Sequence, residues 1–242
     1  MTARSLLVRG MLVGVVGAAL AFVFATIFGE PQIDRAIAFE DGHAMPGMAA
    51  PELVSRSVQS TWGLGIATVV YGAALGGIFG LAFAFAYGRL GRLAARGTAL
   101  LVAATGFVAV YLVPYLKYPA NPPAVGRSDT IGQRTALYFT MVLISAAAAV
   151  GAVLVARNLA QRVGGWYAVL AAVGGFLAVV LVAGQVLHPI NEVPADFPAT
   201  VLWRFRVASL GTQAVLWTTF GLLFGELTDR SLRRVRPLTP VG

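Results

Sequence analysis

Six apolar runs, each near the length a helix needs to cross a bilayer, succeed one another along this chain. They lie at residues 6–28, 60–87, 98–114, 133–156, 165–187 and 205–224. A spanning helix takes roughly 20 mainly apolar residues. Inside hydrocarbon every backbone amide must find its partner within the protein. The expected fold is therefore all-α: a polytopic membrane helix bundle of about six transmembrane helices, one integral domain over 1–242. Residues 29–59 are expected as an outer loop. The third run is the shortest and is followed by Pro114 and Pro119, so topology is most sensitive there.

Composition agrees. With 58% hydrophobic and only 12% charged residues, the chain lacks the polar surface a soluble domain of 242 residues requires. It contains no cysteine, which excludes a disulfide framework and a thiolate metal site. Arg4 and Arg9 precede the first run as they would in a secretory signal. The run from Met11 to Phe28 is longer than a signal core and no convincing cleavage site follows, so a retained span is expected.

The charges sort by side. Alternating loops place Arg4, Arg9, Arg89, Arg92, Arg96, Arg157, Arg162, Arg230, Arg233, Arg234 and Arg236 together, with only Glu226 and Asp229 for company. The opposite side holds Arg35, Arg56, Lys117, Arg127, Arg134, Arg204 and Arg206 with the other eight acids. The two sides carry +9 and −1, which make up the net +8. By the positive-inside bias the first side, with both termini, is expected in the cytoplasm of a cell with this protein in its inner (plasma) membrane. The surplus of arginine is thus a topology determinant that touches anionic lipid, not a nucleic-acid footprint. Trp62, Tyr115, Tyr118 and Trp203 are expected as anchors at the outer interface, with Tyr87, Trp166 and Tyr167 at the inner one.

Packing is legible too. Gly72, Gly76 and Gly80 repeat at four-residue spacing in the second run, and Gly10, Gly14 and Ala18 do so in the first. Small residues at this interval let helices approach closely, where van der Waals contact replaces the missing hydrophobic drive.

The three spans that start on the outer side open with arginine and glutamine: Arg56 with Gln59, Gln133 with Arg134, and Arg206 followed by Gln213. Thr130, Arg134 and Tyr138 share one helical stripe, as do Arg206, Ser209 and Gln213. A charge inside the lipid edge costs a few kcal/mol unless it snorkels or pairs. These stripes are expected either to reach the headgroups or to converge on a polar chamber under the outer segments.

Those segments hold Glu30, Asp34, His43, Glu192 and Asp196, a nitrogen and oxygen set suited to a divalent first-row metal, with Met45 and Met48 as softer auxiliaries. The same acids could instead pair with the neighbouring arginines. No tightly bound cofactor is expected; cobalt or another divalent metal would be a substrate. The chain has no phosphate-binding G-x-x-x-x-G-K-[ST] loop, H-E-x-x-H pair or G-x-S-x-G elbow, so an enzyme is not expected. Nor does any acid lie deep in a span, which argues against a carboxylate proton relay.

Four blocks carry a resemblance. They are Phe28 to Glu40 (FGEPQIDRAIAFE), Glu52 to Gln59 (ELVSRSVQ), Tyr111 to Gly126 (YLVPYLKYPANPPAVG) with Thr130 to Tyr138 (TIGQRTALY), and Asn191 to Pro198 (NEVPADFP) with Leu202 to Arg206 (LWRFR). Together they resemble the CbtA family of predicted cobalt-transporter subunits across nearly the whole chain. The resemblance implies a membrane subunit beside a small, one-span, histidine-rich partner, supplying cobalt to cobalamin synthesis. It also implies five spans where six are counted here. The alternative from the residues themselves is a non-transporting scaffold, or a subunit that binds an anionic ligand or lipid at its arginines. A homo-oligomer is compatible with either.

Overall fold

The computed structural model describes residues 2–43, 55–91 and 93–235. Met45, Met48, Glu52, Arg92 and Arg236 lie outside the described residues. The chain forms α1 (Ala3–Phe28), α2 (Glu30–His43), α3 (Arg56–Ala86), α4 (Ala95–Lys117), α5 (Ser128–Val163), α6 (Gly165–Val186) and α7 (Ala199–Arg234). All but α2 are long and apolar enough to cross a membrane, and no strand occurs among the described residues.

Two features depart from the sequence reading. Residues 29–59 are not wholly a loop, because α2 follows α1 almost directly through Gly29. And the third span does not stop at Pro114 but continues to Lys117. Proline removes one amide donor and crowds the preceding turn. Here a π-helical turn over Phe107–Leu112 stands immediately before it and takes up the change of register.

The core of the bundle is built on glycine. α1 and α3 run antiparallel with their backbones in contact: a Cβ on Gly76 would run into the Gly10 carbonyl, and one on Gly72 would stand 2.6 Å from the Ala18 methyl. On its other flank α1 meets α7, where Gly17 receives Leu216 and Gly211 receives the Phe24 ring. α4 then packs on α7 with Gly106 under the Trp217 indole. Phe79 and Phe83 of α3 meet Phe220 and Phe224 of α7 at centroid distances of 5.0–5.2 Å, and these rings are buried. α5 docks on α4 through the buried Ser145 hydroxyl, which lies against the Ala109 carbonyl across the interface and the Met141 carbonyl in its own helix. α6 returns along α5 after a turn at Gly164 and buries Ala168, Ala172 and Val180.

The two ends of the bundle differ. At the basic end, Arg9 donates to Thr228 Oγ1 (3.1 Å) and Ser231 Oγ (2.7 Å), and Arg96 and Arg233 hold the nearly buried Asp229 at 3.3 and 2.9 Å. The opposite, loop-rich end has a small core of its own. Ala36 of α2 is buried with Val125, Phe197 and Val201, and Phe39 meets Phe197 edge to face at 5.0 Å. α2 is thereby clamped against the segments that join α4 to α5 and α6 to α7.

Candidate functional site

Beneath those segments lies a cavity of about 470 Å³. Its walls come from α4 (Tyr111, Tyr115), the following loop (Tyr118, Asn121), α5 (Arg134, Tyr138), the loop before α7 (Asn191, Glu192) and α7 itself (Arg206). Helical spacing explains the set: Tyr111 and Tyr115 are one turn apart and stacked at 5.4 Å, as Arg134 and Tyr138 are one turn apart on α5.

Each cation is held from behind. Arg206 donates through Nε to the Ala120 carbonyl (3.3 Å) and through Nη2 to Asn121 Oδ1 (2.9 Å), and makes no ion pair among the described residues. Arg134 donates through Nη2 to the Arg127 carbonyl at 3.3 Å. Its Nε is buried without an acceptor and stands 3.6 Å from Glu192 Oε2, beyond hydrogen-bond reach. Gly126 makes this possible. Its φ of +117° lies outside the usual range of side-chain-bearing residues, and a Cβ there would occupy the place of the Arg134 guanidinium.

Among the described residues, Glu192 is the only carboxylate on the cavity wall. Its pKa is held below the ordinary carboxyl value, first by the Thr130 hydroxyl, then by the Arg127 backbone N–H at 2.9 Å, and further by the Arg134 and Arg127 guanidinium charges; partial desolvation opposes them. The wall therefore carries two guanidinium groups against one carboxylate. A bare dication about 6 Å from one uncompensated guanidinium meets repulsion of about 5 kcal/mol at an effective dielectric constant of ~20.

A second cavity of about 220 Å³ adjoins the first, with Tyr111 in the wall of both. It is lined by Glu30 and Ile33 of α2, and by Ser209, Thr212 and Gln213 of α7. Tyr111 belongs to the π-helical turn of α4, and such turns recur at functional sites.

The residues expected to converge are thus distributed. Arg134 and Arg206 share the larger cavity, and Gln213 lines the smaller one. Arg56 is tied to Glu30 and, at 3.1 Å, to Asp34, so α2 is pinned to the start of α3. Gln59 and Gln133 are exposed and line neither cavity. Of the expected metal donors, Glu30 and Asp34 hold Arg56 and Glu192 stands by Arg134. His43 Nε2 is 3.1 Å from Asp196 Oδ2 at the exposed surface, more than half of each side chain being open to solvent. No group of three potential metal-ligating His, Asp or Glu residues forms among the described residues. Tyr115 and Tyr118, expected as interface anchors, line the cavity and donate to the Arg206 and His188 carbonyls at 2.7 and 2.9 Å. The sequence did carry a signal for Tyr115, its i, i+4 spacing from Tyr111 on a helix that continues past Pro114.

Fold and site together define a multi-pass α-helical membrane protein with a cavity at one end of its bundle. It belongs to the CbtA family, whose profile, described as probable cobalt transporter subunit, matches residues 3–229. No curated protein and no solved structure matches the chain.

Proposed function

We propose that this protein is the membrane subunit of a cobalt uptake transporter, with the loop-rich end as the side of entry. The observation that carries the reading is the family match over nearly the whole chain, laid on a six-span bundle with a cavity of about 470 Å³ at that end. The excess of arginine at the other end supports a cytoplasmic location for both termini. The family description as a subunit supports a partner, for which a small one-span, histidine-rich protein is the candidate. Delivery to cobalamin synthesis is the use proposed for the metal.

The test is cobalt accumulation in cells expressing the chain with and without that small subunit, normalised to folded protein in the membrane. Accumulation above background at limiting metal is expected. None in either case removes the transport reading. Reporter fusions at Gly91 and after Arg236 are expected to read cytoplasm, and an exterior C-terminus would restore five spans. A second reading, a non-transporting scaffold that binds an anion or lipid headgroup, is favoured by Arg206, which has no ion-pair partner among the described residues.

A further inference from the structure

The geometry points to the form in which the metal enters: the tyrosine and arginine cavity takes cobalt as a complex with a carboxylate-bearing organic anion, not as the bare aqua ion. This inference rests on the cobalt reading above and names the substrate class of the same site.

Charge is the first argument. Among the described residues Arg134 and Arg206 face one carboxylate, Glu192, so the wall keeps a positive surplus that repels a free cation and attracts an anionic complex. Donor capacity is the second. Guanidinium carries five N–H donors in a planar fork that matches carboxylate geometry. Arg206 spends donors on Ala120 and Asn121, and the rest have no protein partner among the described residues. An oxyanion would supply acceptors for these, whereas the Arg134 Nε is buried and turned toward the Glu192 carboxylate at 3.6 Å.

Size is the third. Each water takes ~30 Å³ of liquid volume, so an ion with six waters needs roughly 200 Å³ including the metal. The cavity is about 470 Å³, within the range of about 300–1,000 Å³ typical of pockets for small organic molecules. The wall chemistry is the fourth. Tyrosines present apolar faces with phenolic edges, which suit an organic body with polar groups. Of the nitrogen and oxygen donors that would suit a bare ion, Glu192 alone is in this wall, while Glu30, Asp34, His43 and Asp196 are not.

The test uses the full chain purified into nanodiscs and titrated calorimetrically with citrate, cobalt(II) citrate and cobalt(II) chloride. Both citrate forms are expected to bind saturably and to compete, and cobalt(II) chloride to bind far more weakly. Arg206→Gln should weaken citrate binding at least tenfold, with the thermal midpoint recorded as a check on folding. Glu192→Gln decides by sign. Removing the competing carboxylate should tighten citrate binding about three- to tenfold, a gain that misfolding cannot produce, whereas a bare-cation site would weaken. Failure of both citrate forms to bind at millimolar concentration overturns the proposal, as does tight cobalt(II) chloride binding that Glu192→Gln reduces. If cells accumulate cobalt while that second pattern holds, the cobalt reading stands and only the chelate proposal falls. Citrate binding as stated, with no cobalt accumulation in cells, overturns the cobalt reading and leaves the oxyanion site supported.

Discussion

Tyr115 donates its phenolic hydrogen to the backbone carbonyl of Arg206 at 2.7 Å, joining α4 to α7 beside the cavity. The carbonyl lies inside a helix, so the bond adds an acceptor interaction without breaking the helical ladder. It also sets the height of Arg206 against Asn121 on the α4 side, which the guanidinium reaches at 2.9 Å.

Tyr115→Phe keeps the ring stacked on Tyr111 and deletes only this bond. Interhelical hydrogen bonds in membrane proteins average about 0.6 kcal/mol and reach about 1.7. The expected loss is about 1 kcal/mol of stability, read as a lower unfolding midpoint in detergent or bicelles. An unchanged midpoint would mean that the phenol is bonded to water rather than to α7.

Gly76→Leu should be severely destabilising. The Gly10 carbonyl already occupies the space of a Cβ, so α1 and α3 would have to separate along their length. Overpacking costs about 1–3 kcal/mol and at times more. The expected result is lower yield and a lower thermal midpoint. Gly175→Leu on α6 is the control, because a Cβ there meets nothing within 4 Å. Equal tolerance of both would refute the α1–α3 contact.

Glu30→Gln should lower stability more than Asp34→Asn. Glu30 is 12% exposed where it meets Arg56, and Asp34 is 65% exposed. Hydrogen bonds to charged groups contribute about 1.5–3 kcal/mol, whereas exposed ion pairs contribute about 0–1. Cobalt uptake per folded molecule should change little in either variant. A large drop per molecule at normal stability would return these acids to a role in metal capture.

The Glu192 tether should fail in acid. Its pKa is lower in the folded chain than in the unfolded one, so its contribution is complete above the ordinary carboxyl value of about 4.3 and is lost as pH falls through the lower folded value. The difference in thermal midpoint between wild type and Glu192→Gln is expected to be constant above about pH 5 and to shrink below pH 4. A difference that grows toward low pH would contradict the assignment of the Thr130, Arg127 and Arg134 contacts.

Six spans, the α1–α3 glycine seam and a basic end opposite an acid-bearing one were all legible in the order of residues. Each depends on periodicity or on run length, and both are local. Of the stripe Thr130, Arg134 and Tyr138, the last two do share one wall of the cavity, because spacing on a single helix needs no partner. What spacing could not supply was the choice of partners. Glu30, Asp34 and Glu192 offered the same carboxylates to a metal or to an arginine. Arg56, 26 residues from Glu30 in the chain, meets it only because α2 folds back beside the start of α3. The continuation of α4 through Pro114 depended likewise on a π-helical turn that no propensity marks. Helix formation within a bilayer is decided by the segment's own residues, since its backbone bonds close within it. A binding site requires side chains from several segments to converge, and only the packing of α2, α4, α5 and α7 brings them together.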